Sequence, residues 1–544
     1  MRFGKTSLLK LLPLIFISLF YFFISQIDLD KDAINPDGIN WHTRTQEFTK
    51  ALKDKNYDKV FQAYHPGITL MWISGPILDI FKYTGFENLP TNEQKNVFLA
   101  EDYYAKLSLV AFCTLIFFLT LILLWSIAGY RFSIFFSIIF TLEPFLIGMR
   151  RLYHLDFLMT TLIFLSFLFL IYFNFKKDRV IMPALSGLFI SLAIMTKSTA
   201  VIFLPVVPFI FILGNPKALK KLLGFFVFII SSIAFLYILF PPVWKNPVKT
   251  APKYFEKIAF GVTGIGMEGK KEIGSSGKAE NITLDDTLED KGKLFYLVSL
   301  FIRTTTAFWV IFVISLGFYF YILLKGFFVQ IFQAFKNRKI PGQFYFSNKA
   351  WLAFWSLGIS SAVIFGMSFA QKQSDRYAVL VYPFIILICA YFLDFIKWYL
   401  SLPLVIFYVI FTLFEIKGTH PYYISYSNRY LGGVEMRMRA LDGPPFGVAM
   451  YEAMKILNDD MKNNGYSGYY TVAGPKSVKA ISAGGKFSRF PSCVTDYIVA
   501  YALEDKPTYT CYRKYTLIDT VRIGNFDYWY IYKRDNQKHE SNYE

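Results

Sequence analysis

Ionisable side chains that interrupt or border long apolar runs are costly, ~2.5–3.5 kcal/mol each at a membrane helix centre, so they mark where chemistry is to be sought. Asp37, Asp156, Lys197, Arg303, Lys372 and Arg376 are such residues. Lys197 stands in Met195-Thr196-Lys197-Ser198-Thr199, between two half-length apolar runs, which points its ammonium into the external mouth of a bundle. A lysine snorkelling from a turn is the plainer alternative. Lys372-Gln373-Ser374-Asp375-Arg376-Tyr377 forms a short turn ahead of another run, and Arg303, followed by Thr304 to Thr306, leads into a third. Guanidinium forks match phosphate oxygens bidentately. Four cations at one membrane level make a site for a membrane-borne phosphate or pyrophosphate; headgroup snorkelling explains any one of them, less comfortably all four.

Two carboxylates border the same level: Asp37 in Asn35-Pro36-Asp37-Gly38, and Asp156 in Arg150-Arg151-Leu152-Tyr153-His154-Leu155-Asp156. A carboxyl against an apolar wall has its pKa raised toward the range of a general base. Pro36-Asp37-Gly38 is equally a turn tripeptide. His65, in His65-Pro66-Gly67, and His154 are the other titratable groups nearby, but no ligand spacing supports a zinc or manganese site. No cofactor is assigned. Gly4-Lys5-Thr6-Ser7 lacks the first glycine of a phosphate-binding loop, and Asn281-Ile282-Thr283 is a glycosylation sequon.

The elements that position these residues follow from composition. The 544 residues are 54% hydrophobic and 19% aromatic, above the roughly 45–50% apolar content of soluble domains. The excess falls in runs near Leu11 to Ile27, Ala105 to Ile127, Phe132 to Gly148, Phe157 to Phe175, Ile181 to Thr196, Thr199 to Leu213, Leu222 to Phe240, Thr305 to Leu324, Trp351 to Phe369, Tyr377 to Phe395 and Leu400 to Phe414. That gives about eleven spanning helices. The first has no small-residue cleavage site and reads as a retained anchor.

Lys and Arg gather in alternate short loops (Arg131; Lys176, Lys177 and Arg179; Lys217, Lys220 and Lys221; Lys325 to Lys349), which places the N-terminus in the cytosol and the C-terminal region outside. The net charge of +18 is spread over these loops rather than gathered on one soluble face, which argues against nucleic acid. The expected fold is an all-α polytopic bundle over residues 1–416, with interfacial amphipathic helices in a first outer loop (28–104) and a mobile outer loop (244–303). Residues 417–544 form a small extracytoplasmic α/β domain, with a helix over Val448 to Met461 and strands at Tyr469 to Val472, Asp496 to Ala502, Leu517 to Ile523 and Tyr528 to Lys533. Cys493 and Cys511 lie there, where an oxidising compartment would permit pairing.

In this order of parts the chain resembles the GT-C superfamily of polyprenyl-phosphate-sugar-dependent glycosyltransferases, and within it the protein O-mannosyltransferase and aminoarabinose-transferase group (family 39-like). The matching pieces are Asp37 with Trp41 and Arg44, His65-Pro66-Gly67, Arg151 and Asp156, Lys197, Pro241-Pro242-Val243-Trp244, Tyr296 with Arg303, Lys372 with Arg376-Tyr377 and Pro383, His420-Pro421-Tyr422-Tyr423, Gly432-Gly433 and Asp496-Tyr497-Ile498-Val499. Nearly the whole chain is covered; each motif is loose and their order carries the likeness. Members often have Asp-Glu in the first loop where this chain has Asp37-Gly38. The resemblance implies a single inverting displacement: a sugar on a polyprenyl or dolichyl phosphate, Asp37 and Asp156 as catalytic acids, and Lys197, Arg303, Lys372, Arg376, Tyr377, Arg44, His65 and Arg151 around the substrates. It implies as partners a lipid-linked sugar, the membrane lipid and a protein, lipid or glycan acceptor, in a cell-envelope membrane. A multi-span transporter or flippase is the rival reading.

Overall fold

A computed structural model describes residues 5–60, 65–82, 91–248, 250, 252–256, 272–273, 279–280, 292–337, 347–370, 373–441, 447–464, 471–474, 478, 486–488, 491, 495–501, 509–510, 513–524 and 526–535. All eleven apolar runs are helical, but they are not eleven equal spans. Among the described residues eight helices are long and apolar enough to cross a membrane: Leu11–Lys31, Val97–Ala128, Leu155–Lys176, Ala218–Leu239, Thr306–Gly326, Asn348–Ser368, Asp375–Phe395 and Trp398–Ile416. A ninth is broken, Tyr130–Leu142 and Pro144–Arg151 meeting at 70°. Glu143 precedes a proline and takes an extended backbone (φ −58°, ψ 117°), because the proline ring excludes the helical conformation before it. The fifth and sixth runs are two shorter helices, Ile181–Thr196 and Ser198–Ile212, that part at Lys197.

Burial ranks the spans. Leu155–Lys176 is buried over its whole apolar window and Asp375–Phe395 over 89% of it, whereas Ala218–Leu239 is buried over only 11%. A helix apolar on every face suits either a protein interior or lipid. Here the first two take the interior, and Ala218–Leu239 turns Phe226, Ile230, Ile233 and Ile238 outward. The protein is thus a polytopic membrane bundle with two central spans, and both begin beside the candidate site.

The segment between the first two spans supplies two helices, α1 (Pro36–Lys53) and α2 (Ile68–Lys82). Pro36 does not open a turn. It occupies the first helical position of α1, where its missing N–H costs nothing, and the Asn35 side chain accepts the Asp37 N–H at 3.1 Å. Trp41, Phe48 and Ala51 are buried along α1, and Leu70, Met71 and Leu78 along α2, so these amphipathic helices pack on the bundle. Gly67 has φ +64°, and a Cβ there would meet the Trp41 ring at 2.1 Å, so the His65-Pro66-Gly67 corner closes on α1 only as glycine.

The tail combines a helix, Met450–Asn463, with a sheet. Its strands are β1 (Thr471–Ala473), β2 (Lys486–Ser488), β3 (Tyr497–Tyr501), β4 (Tyr509–Thr510), β5 (Arg513–Ile523) and β6 (Phe526–Arg534), in the order β2-β1-β3-β6-β5-β4. β1 runs parallel to β2 and β3, and β5–β6 is the expected antiparallel hairpin, turning through Gly524 at φ +60°. Trp529, fully buried, donates from Nε1 to the Val448 carbonyl at 2.6 Å and locks the sheet to the start of the helix. Lys372, Cys493, Cys511, the sequon and most of the 244–303 loop lie outside the described residues; within that loop Glu272–Ile273 pairs antiparallel with Ala279–Glu280.

Candidate functional site

Two helix N-termini face each other. α1 carries Asp37 in its first turn, and the central span that begins at Leu155 carries Asp156 in its own. Unpaired N–H groups and the helix dipole favour negative charge at both places. His154 is the N-cap of the second helix, its Nδ1 3.3 Å from the Asp156 backbone nitrogen. The other central span contributes Arg376 in a 3-10 turn, Asp375–Val381, and the break between the two short helices contributes Lys197.

These five side chains form one network. Lys197 Nζ donates to Asp156 Oδ1 at 2.5 Å and lies 4.2 Å above the Tyr377 ring. Arg376 Nη1 donates to Asp37 Oδ2 at 2.9 Å, and its Nε is 3.4 Å from Asp156 Oδ2. His154 stands between the acids, Nε2 at 3.4 Å from Asp37 Oδ2 and Nδ1 at 3.1 Å from Asp156 Oδ2. Exposure separates the members: 46% of the Asp37 side chain is open, against 14% for Arg376, 7% for His154, 4% for Lys197 and 1% for Asp156. Among the five, only Asp37 offers a substantial surface to an incoming molecule.

Two expectations are corrected here. Lys197 does not point into an open mouth; it is buried and committed to Asp156. The Asp37 carboxyl is not raised: burial pushes it up, but the neighbouring His154 ring and the Arg376 charge outweigh burial and hold it well below the usual carboxylate range. Asp37 is therefore a weak base for as long as Arg376 stays on it.

Other residues singled out from sequence lie around this centre or away from it. His65 Nδ1 is 3.0 Å from the hydroxyl of Ser198, next to Lys197. Arg44 lies 4.8 Å above the Trp41 ring, on the same helix as Asp37. Arg151 is not turned to a substrate: wholly buried, it binds Asp32 at 2.5 Å and the Ile27 and Asp28 carbonyls at 2.7 and 3.1 Å, fastening the exit of the first span. Arg303 is sealed as well, held by Asp375 and by the Ile424 and Tyr426 carbonyls at 2.8 Å each. Of the proposed pocket, Asp37, Asp156, Lys197 and Arg376 come together, and Arg303 sits in a second network, bound to Asp375, the residue before Arg376.

The residue that sequence reasoning undervalued is His154. Its signal was a histidine two residues ahead of an acid at the start of an apolar helix, the spacing of an N-cap and its first turn. Among the described residues no group of three or more His, Cys, Asp or Glu side chains is disposed to hold a metal ion.

No family model matches the chain, and no curated protein matches it. Solved structures resemble it. ArnT from Cupriavidus metallidurans bound to undecaprenyl phosphate is 12% identical, with 97% of this chain and 98% of that one covered at a TM-score of 0.47. The apo state of ArnT is 14% identical, with 72% of this chain and 61% of that one covered at 0.42. The archaeal oligosaccharyltransferase AglB from Archaeoglobus fulgidus, in complex with an inhibitory peptide and a dolichol-phosphate, is 12% identical over 90% of this chain and 69% of that one, at 0.42. What the site here can do follows from its own geometry.

Proposed function

We propose that this protein is a GT-C glycosyltransferase that moves a sugar from a polyprenyl or dolichyl phosphate to an acceptor hydroxyl, with inversion, on the non-cytosolic side of a cell membrane. The observation that carries this reading is the single open acid, Asp37, at the edge of an otherwise buried network of alternating charge. The acceptor hydroxyl meets Asp37, the lipid phosphate meets Arg376, and Lys372 is the preceding cation in the sequence. Lys197 acts from behind, fixing Asp156, whose second oxygen faces Arg376.

The depressed Asp37 carboxyl fits a base that is switched on by its donor. When a phosphate draws the Arg376 guanidinium to itself, Asp37 loses a charge that held its affinity for protons down, and its basicity rises as the reactants assemble. Arg376, already on the phosphate, then stabilises the negative charge that grows there as it departs. General base catalysis contributes ~10²–10⁴-fold.

The test uses purified protein in lipid with radiolabelled polyprenyl-phosphate sugars and hydroxyl acceptors. Label leaves the lipid for the acceptor if the reading holds; label that only crosses the bilayer marks a transporter. Asp37→Asn lowers transfer ~10²–10⁴-fold with insertion and folding unchanged. Undiminished turnover removes Asp37 from the mechanism.

A further inference from the structure

His154 is built to hold either one proton or two. Each ring nitrogen faces one donor and one acceptor. Nε2 has Arg376 Nη1 at 3.2 Å and Asp37 Oδ2 at 3.4 Å; Nδ1 has the Asp156 N–H at 3.3 Å and Asp156 Oδ2 at 3.1 Å. A neutral imidazole has one lone pair and one N–H, so it serves one donor and one acceptor at a time. With its hydrogen on Nδ1 it donates to Asp156 and accepts Arg376; as imidazolium it donates to both carboxylates. A histidine that only capped its helix would need nothing beyond the Asp156 N–H.

We propose that His154 is a proton relay behind Asp37, armed by the binding of the lipid phosphate; the inference rests on the transferase reading of the site. In the resting state the hydrogen is on Nδ1, and Nε2 is covered by Arg376. When the phosphate takes the Arg376 guanidinium, the Nε2 lone pair is uncovered toward Asp37. The acceptor oxygen then forms its bond to the anomeric carbon as the bond from that carbon to the phosphate oxygen breaks. The electron pair of that bond leaves on the lipid phosphate, and the hydroxyl proton passes to Asp37 and on to His154 Nε2. The charge that results is an imidazolium between Asp37 and Asp156, beside Arg376 and the departing phosphate, so the acceptor's proton becomes a local cation where negative charge has grown. After release, the ring returns its proton through Asp37, the open member, to water. His154 is a positioning and proton-holding residue, since it touches no substrate itself.

The groups that face the ring are Asp37 on α1, Asp156 on its own helix and Arg376 on the other central span, with Lys197 bound to the far oxygen of Asp156. His154→Asn separates the relay from the cap, because asparagine is among the best N-cap residues and cannot take up a proton. The expected outcome is a folded variant with an unchanged melting temperature. Its kcat falls ~10²-fold with little change in KM for the lipid donor, and the pH profile of its rate changes shape. A variant with wild-type kcat and the wild-type pH profile overturns the relay. Nitrogen-15 NMR of histidine-labelled protein supplies a readout that needs no turnover. The signal missing from His154→Asn should pass to the doubly protonated form on acidification, and that titration should move in Asp37→Asn. A ring that keeps one form throughout overturns the relay whatever the enzyme's activity, whereas a titrating ring in a protein that transfers no sugar sinks the transferase reading alone.

Discussion

Asp375 and Arg376 are consecutive residues that belong to two different charge networks. Asp375 is sealed, accepting from Arg303 Nε at 2.8 Å, with Arg437 Nε at 3.5 Å, and all three side chains are at most 1% exposed. Arg376 faces the other way, toward Asp37 and Asp156, in a network that opens to the surface. Both networks pair aspartate with arginine. The difference teaches that access, not composition, separates a fastening from a reactive site. The sealed cluster ties the start of a central span to the chain that follows the last span, through the Ile424 and Tyr426 carbonyls and Arg437, and so holds in place the backbone from which Arg376 reaches the acids.

Breaking the sealed network has the largest expected effect on stability. Asp375→Ala leaves two buried guanidinium groups without their carboxylate, at a cost of about 3–5 kcal/mol. That is a large share of the ~5–15 kcal/mol by which folded proteins are stable. The expected outcome is a collapse of folded yield, or a melting midpoint in detergent far below that of the wild type. An unchanged midpoint means that these arginines reach water, and the contrast between the two networks is then lost.

The open network should answer in activity instead. Lys197→Met removes one cation from Asp156, but Arg376 Nε and His154 Nδ1 remain within 3.4 Å of its other oxygen, so the acid is not abandoned. Arg376 is instead drawn toward Asp156 and away from Asp37. Misplacement by about 1 Å costs ~10²-fold in rate. We expect kcat to fall on that order while the midpoint moves far less than in Asp375→Ala, with both read from the same purified samples. A larger loss of stability than in Asp375→Ala reverses the assignment of roles.

How much of this was legible in the sequence depended on whether the determinant was local. Apolar runs fix helices along the chain, so every run was found, and the break at Lys197 with them; the bend at Pro144, inside one run, was not. The tail's helix and hairpin were legible for the same reason, in alternation and a glycine turn. Asp37, Asp156, Lys197 and Arg376 stood out because charge beside apolar sequence is conspicuous. Their pairing did not, since Asp37 and Arg376 are 339 positions apart and meet only through tertiary packing. Arg303 read as a phosphate ligand and Arg151 as a substrate contact for want of that knowledge, their carboxylate partners Asp375 and Asp32 being invisible as partners. Asp37 was expected to be a raised acid because burial can be guessed from sequence, whereas the guanidinium that outweighs it cannot.

Gly38 carries the smallest effect and the finest test of the open network. A Cβ there would stand 3.2 Å from the Tyr153 carbonyl oxygen, which would have to give by a few tenths of an ångström, and in ordinary contact with the Asn35 Cβ at 3.5 Å. In Gly38→Ala the better helix propensity of alanine, worth up to ~1 kcal/mol, offsets the crowding, so stability should change little. Asp37, one residue earlier, should nevertheless move against Arg376 and His154 by a fraction of the ~1 Å that costs ~10²-fold, which predicts a fall in kcat of only a few fold. The sealed network lies outside this displacement, and its contribution to the melting midpoint should be untouched. A midpoint that drops steeply, with turnover lost in proportion, shows instead that α1 belongs to the same rigid fastening as Arg303 and Asp375, and that the two networks are one.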